Sequence, residues 1–276
     1  MALELKTEVL SADSRQFYKE LNIGTAKPSL EEMKGIAHHF IDSHSITSHI
    51  SSAVFASEAE GILKEIFKTQ DYAILVGGSG MYIDALCQGI DDIPVDANIK
   101  NKLQQELEAN GLEFLLEELK QKDPVFYEEI DKQNPMRLLR ALEAIRITGK
   151  QYSQLRTNKK QDKTFNIKRF VIDHPREILY QRIDQRVLKM MDDGLLDEVK
   201  SVRKFSHLQA LQTVGYKELF THLDQQISLQ KAVELIQKNT RNYAKRQLTW
   251  FRRHEDAVWM PHDADSLLVK QILSFL

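Results

Sequence analysis

Residues 8–19 read Glu8-Val-Leu-Ser-Ala-Asp-Ser-Arg-Gln-Phe-Tyr-Lys19, and residues 72–80 read Tyr72-Ala-Ile-Leu-Val-Gly-Gly-Ser-Gly80. In each, a short apolar run that suits a buried strand gives way at once to small and polar residues. A helical pattern over residues 81–88 follows the second. A strand, a glycine-rich turn and a helix start bring N–H groups and the helix dipole to one point, which makes a ready anion site. Such turns also serve tight packing alone, and here Ser79 adds a hydroxyl. The order of elements predicts an α/β fold with a parallel sheet. In such sheets ligands bind outside the carboxyl ends of the strands. Asp13 sits at one of those ends and accepts only when ionised, so it suits taking a proton or orienting an amine. Arg15 and Lys19, four apart in a helical turn, would reach a phosphate. The plainer alternative is that Asp13 or Ser14 merely caps that turn.

The chain has 276 residues, 42% hydrophobic and 28% charged, which fits one large domain or a core carrying an insertion. A net charge of −2 gives no global attraction to nucleic acid, so any such binding rests on local clusters. The single cysteine, Cys87, excludes an intramolecular disulfide framework and a zinc finger, and reads as a buried core thiol. No apolar run has the length of a membrane span. A cytoplasmic enzyme or binding protein is expected.

Outward from the two strands, Ser29 is placed to cap a short helix, and Ser51 or Ser52 to start an amphipathic one. Between them stand His38, His39, His44 and His49; their spacing lacks a metal-binding helical pair. Residues 93–134 are strongly charged and helical, with a break at Gly111. They predict a helical insertion between core segments 1–92 and 135–276. Asn134 and Pro135 open a helix on which Arg137 and Arg140 share a face. Residues 169–173 are a further strand, and Pro175 begins a long helix. Arg182 and Arg186 lie four apart on it, where they meet one diphosphate or pair with acids such as Asp184. The last major helix spans about residues 228–253. Its Arg241, Lys245 and Arg252 fall within roughly 40° of one another at 100° per residue. Tyr243, Ala244, Trp250 and Phe251 take the other side. That pattern predicts a helix packed through aromatics and offering a basic ridge to phosphates; an ordinary cationic surface helix is the alternative.

Several blocks in one order resemble the tRNA dimethylallyltransferase (tRNA isopentenyltransferase) family: SADSRQFYKELNIGTAKP, AHHFIDSHSI, VGGSGMYIDAL, NPMRLLRALE, RIDQRVLKMMDDGLLDEV, TVGYKE and TRNYAKRQLTWFRR. The resemblance covers nearly the whole chain. It implies a P-loop NTPase-like core whose helical insertion closes on tRNA, and transfer of a dimethylallyl group from dimethylallyl diphosphate to N6 of the adenine next to the anticodon, with Mg2+. By the same resemblance Asp13 takes the amine proton, Ser79 (where the family usually has Thr) contacts the leaving diphosphate, and Arg186 with Arg182 clamps it. Asp13, Ser14, Arg15 and Gln16 are implied to face the tRNA anticodon stem-loop. So are Asn101 between Lys100 and Lys102, then Arg137, Leu138, Leu139 and Arg140. Thr240, Arg241, Asn242, Tyr243, Ala244, Lys245, Arg246 and Gln247 complete that implied surface. A monomer is expected, with ATP and nucleotide binding.

The family also has a P-loop, Gly-x-Thr-x-x-Gly-Lys-Thr, on a first strand before the Asp-Ser stretch, and no such motif occurs here. The P-loop would hold the diphosphate and magnesium. The expectation is therefore an amino-terminally truncated enzyme, weakly active or inactive and poorly stable as written. The rivals are a tRNA-binding remnant without a donor site and a relative of P-loop nucleotide kinases.

Overall fold

The computed structural model describes residues 1–48, 50–91, 93–157, 162–261 and 265–276, and for 265 and 266 the backbone alone. His49 and the expected boundary residue Asp92 lie outside these. Two compact units are present: Met1–Cys87 with Lys163–Leu276, and Gln88–Asp162.

The larger unit opens with helix α1 (Ala2–Leu5) and strand β1 (Val9–Ser11). All of β1 is buried, since it is the middle strand of a parallel sheet ordered β2-β1-β3. Helix α2 (Leu30–Met33) precedes β2 (His38–His39). Ser29 caps α2 through a reciprocal capping box with Glu32. Ser51, not Ser52, caps α3 (Ser52–Ile66), which crosses over to β3 (Ile74–Val76). Val9 pairs with both His38 and Ile74, and Ser11 with Val76. Phe17, Phe40 and Phe55 fill the space beside this sheet, with Phe17 stacked on Phe55 at 5.5 Å. Helix α4 (Gly80–Gln88) leaves the glycine-rich turn directly after β3.

The smaller unit is helical. Helix α5 (Ala97–Lys122) is broken at Gly111, where φ is 80°. Helices α6 (Pro124–Glu129), α7 (Pro135–Thr148) and α8 (Tyr152–Leu155) complete it. The insertion expected to end at residue 134 therefore continues through α7. Leu138, Leu139, Leu142 and Ile145 bury themselves against Leu103, Leu115 and Leu119 of α5, so the apolar stripe of α7 belongs to this unit and not to the core. Asp123 is wholly buried and accepts from Phe126 N–H, Ser153 N–H and the Ser153 hydroxyl. Arg146 is bonded to both Glu106 and Glu118.

The larger unit resumes with β4 (Arg169–Asp173) and α9 (Arg176–Asp192), which begins just after Pro175. Helices α10 (Leu195–Ser201), α11 (Tyr216–Leu223) and α12 (Leu229–Phe251) follow. Strand β5 (Ala257–Pro261) then pairs in parallel with β4 through all five residues, and α13 (Asp265–Leu273) ends the order. On α10, the Glu198 carboxylate accepts the N–H groups of Asn22, Ile23 and Gly24 and the hydroxyl of buried Tyr216. This clasp fixes the loop that leads out of the Asp13 stretch. Among the described residues no helix is long and apolar enough to cross a membrane.

Candidate active site

The carboxyl ends of β1 and β3 are adjacent, so the segments that leave them meet. Ala12 N–H donates to Val76 O at 2.7 Å, and Ser79 N–H donates back to Ala12 O at 3.1 Å. A Cβ on Gly77 would lie 2.4 Å from the Ala12 carbonyl, so this approach requires glycine. The result is a corner in which Ser14 N–H donates to Ser79 Oγ at 3.0 Å and Ser79 Oγ donates to Ser14 Oγ at 3.1 Å. Asp13 Oδ1 accepts Arg15 N–H at 2.9 Å. The capping role weighed for Asp13 is thus present, and it uses one carboxylate oxygen.

Burial raises the Asp13 pKa above its ordinary 3.8, against the Arg15 N–H and the charges of Arg15 and Arg186. A carboxylate so raised is a better proton acceptor. The Tyr243 hydroxyl stands beside Ser79. Burial, then the Asp13 charge, pushes its pKa up, which keeps it a neutral donor. Tyr243 was expected on the packed side of α12, yet the residue as a whole is 41% exposed and Arg246 lies over its ring at 5.5 Å. Position 243 precedes Gln247 by one turn, and Gln247 Nε2 donates to Gly78 O at 3.0 Å. Helix α12 therefore faces the glycine-rich turn.

The other expected site residues divide into those still presented and those already engaged. Arg186 is exposed within electrostatic reach of Asp13, whereas Arg182 points its Nη1 to His174 Nε2 at 3.0 Å. Lys245 and Arg246 are exposed; Asn242 and Ala244 are half-buried. Thr240 returns its hydroxyl to Ile236 O. Arg15 binds Gln209 O and Ala210 O, and Gln16 binds Thr25 O and Ala26 O, so both anchor loops. Arg241 pairs with Asp184, which removes it from the expected open ridge. Arg252 lies over the Trp259 ring at 5.7 Å.

In the smaller unit, Asn101 and Arg137 are exposed, while Leu138 and Leu139 are core residues whose side chains are closed to a ligand. Arg140 donates to Pro94 O, Ile93 O and Glu143, although it shares a helix face with Arg137. Arg137, Arg140, Arg156, Phe126 and Tyr152 line a cavity of about 410 Å3. The histidines have ordinary partners: His38 the Ile36 carbonyl, His39 Glu8, and His44 Ser43 and Glu58.

A sequence model of the family described as IPP transferase matches residues 16–254. A tRNA dimethylallyltransferase 1 of Bacteroides thetaiotaomicron is 43% identical over all of this chain and 89% of its own length. The crystal structure of the full-length tRNA isopentenylpyrophosphate transferase from Bacillus halodurans is 34% identical, with a TM-score of 0.72 over 99% of this chain and 88% of that one. A eukaryotic dimethylallyltransferase, caught acting on tRNA, aligns with a TM-score of 0.80 over 99% of this chain and 75% of its own. At 24% identity it speaks for the fold alone. An α/β fold with small parallel sheets, a family match through both units and close relatives along the full chain agree: this chain belongs to the IPP transferase family.

Proposed function

We propose that this chain modifies tRNA, moving a dimethylallyl group from dimethylallyl diphosphate to N6 of the adenine 3′-adjacent to the anticodon. The observation that carries this reading is the corner itself: an Asp13 carboxyl of raised pKa and a Ser79 hydroxyl on adjacent loops, bridged by Ser14. Its relatives bear the name of that activity.

The N6 amine is a weak nucleophile because its lone pair is delocalised into the ring. As the new N–C bond forms, the N6 proton passes to Asp13. The C–O bond to the diphosphate breaks with its electron pair, and the leaving anion meets Ser79, Tyr243 and the cation of Arg186. Arg182 joins that clamp if it turns from His174. The adenine must leave its stack, at a cost of a few kcal/mol. The exposed cations Lys245 and Arg246 on α12 offset that cost through phosphate contacts.

Magnesium belongs to the same reading, and the oxygen donors at the corner are the Asp13 carboxylate and the Ser14 and Ser79 hydroxyls. Among the described residues no three of His, Cys, Asp and Glu converge on a metal position. One carboxylate fits magnesium held chiefly by diphosphate oxygens and water, where the ion would neutralise phosphate charge. The finer fold reading is a P-loop NTPase-like parallel core, to which the separate sheets β2-β1-β3 and β4-β5 would both contribute. We take the enzyme to be a cytoplasmic monomer.

Labelled dimethylallyl diphosphate and an anticodon stem-loop test the proposal. The chain is assayed as written and with a relative's P-loop strand joined before Met1. Label appearing on N6 of that adenine in either form supports the activity. Stem-loop binding without transfer in both forms would replace it with a binding role.

A further inference from the structure

Ser79 lies between two glycines, and helix α12 grips both of them. Gln247 donates to Gly78 O, and a Cβ on Gly78 would fall 1.8 Å from Gln247 Nε2. One turn on, the Trp250 indole rests on Gly80, where a Cβ would come within 2.3 Å of the ring. The Arg253 guanidinium covers the ring at 3.8 Å from its centroid. What fixes the indole in its plane is Asp84 of α4, whose Oδ2 accepts Trp250 Nε1–H at 2.8 Å. His254 Nε2 stands 3.0 Å from the other oxygen, Asp84 Oδ1. Asp84 is more than one helical turn beyond Ser79 and touches neither Asp13 nor Ser79 in any of these contacts.

We infer that Asp84 is a positioning residue, resting on the reading of Ser79 given above: by pinning Trp250 to α4, it holds α12 on the glycine-rich turn and so keeps the Ser79 hydroxyl aimed at the departing diphosphate. Helix α12 also carries the exposed Lys245 and Arg246, so the Trp250–Asp84 bond, beside that of Gln247 to Gly78 O, ties the RNA-facing helix to the elements that carry Ser79. A turn with three glycines has only the Ser79 side chain of its own to resist motion, which is why an external grip matters here.

The test compares Asp84→Ala, Asp84→Asn, Trp250→Phe and the Asp84→Ala/Trp250→Phe double variant, each in a Trp259→Phe background. The chain has two tryptophans, so Trp250 is then the sole indole wherever it is retained. Asp84→Ala is expected to shift its emission, and Asp84→Asn, whose amide oxygen still accepts the N–H, to leave it within a few nanometres. Amide exchange at residues 78–81 should rise about tenfold in Asp84→Ala and Trp250→Phe and stay near the parent rate in Asp84→Asn. Whichever form of the chain transfers the prenyl group should lose about tenfold or more in kcat in both single variants, with stem-loop Kd unchanged within about twofold. The double variant should lose no more than either single one, since both remove the same bond. If Asp84→Ala does not fold, Trp250→Phe, which keeps an aromatic side chain at this position, carries the comparison.

Unchanged exchange at residues 78–81, losses that multiply in the double variant, or Asp84→Asn failing as badly as Asp84→Ala would overturn the inference. A chain without transfer in any form would overturn the proposed activity instead, and emission and exchange would still decide whether Asp84 holds the turn.

Discussion

Asp13 in the larger unit and Glu118 in the smaller are both carboxylates drawn from water, and they end on opposite sides of their ordinary ranges. Burial raises Asp13, and the arginines near it act only through a backbone N–H and through charge at a distance. Burial pushes Glu118 up as well, but direct hydrogen bonds from Arg146 and Lys122 outweigh it and leave its pKa lowered. Glu106, hydrogen-bonded to the same guanidinium, is lowered too. The difference lies in how far compensation is carried. A bidentate guanidinium satisfies a carboxylate and makes it structural. A carboxylate left partly uncompensated retains an appetite for a proton, which is what a base requires.

Asp13→Asn breaks this contrast most severely. The amide still accepts the Arg15 N–H but takes no proton, so transfer should fall by about 10²- to 10⁴-fold. The stability effect should run the other way. Because the folded-state pKa of Asp13 lies above 3.8, folding favours its protonated form, and stability is lost as pH rises from 3.8 through the raised value. The variant should therefore gain on the parent in denaturant titrations as pH rises through that window, and match it at lower pH. Transfer by the parent should climb through the same window.

Arg146→Met tests the opposite case. Removing the shared guanidinium should cost the smaller unit about 1–2 kcal/mol at neutral pH, a figure reduced because the pair is partly exposed. In the parent, Glu106 and Glu118 titrate below 4.5 when folded, so their contribution is full above 4.5 and fades as pH falls through the lowered values. Thermal melts should show that acid loss in the parent and a flatter profile in Arg146→Met.

The smallest expected effects separate Arg137 from Arg140. Arg140→Ala should destabilise by about 1–2 kcal/mol, since Pro94 O and Ile93 O lose a charged donor. Arg137→Ala should leave stability within about 0.5 kcal/mol. It should instead flatten the salt dependence of stem-loop binding by about one phosphate contact.

The sequence made several of these features legible. Ser29 with Glu32, Ser51, Asn134 before Pro135, and Gly111 mark helix ends through chemistry that acts over three or four residues. The strand–turn–helix at residues 74–88 is equally local. What stayed hidden depends on partners far along the chain. The stripe of α7 suits burial against any apolar surface, and only α5 decides which one. Arg137 and Arg140 are alike in spacing, and the loop at Ile93 and Pro94 separates their fates. Arg241 meets Asp184, and Trp250 meets Asp84, with no nearby residue to announce either pair. Tyr243 turned toward Ser79 for the same reason: its helical angle was clear, but which neighbour that angle faced was not.

The Glu198 clasp carries one more consequence. Three consecutive N–H groups and a phenol converging on one carboxylate are the ligands of an oxyanion receptor, filled here by the protein's own side chain. Glu198→Ala would empty that receptor while leaving its three N–H groups and phenol in the chain. Such a variant should become responsive to buffer composition, with its melting temperature partly restored by millimolar formate or acetate and left unmoved by matched chloride. A chain with its carboxylate in place should ignore all three salts, which makes a small organic acid a selective stabiliser of the mutant alone.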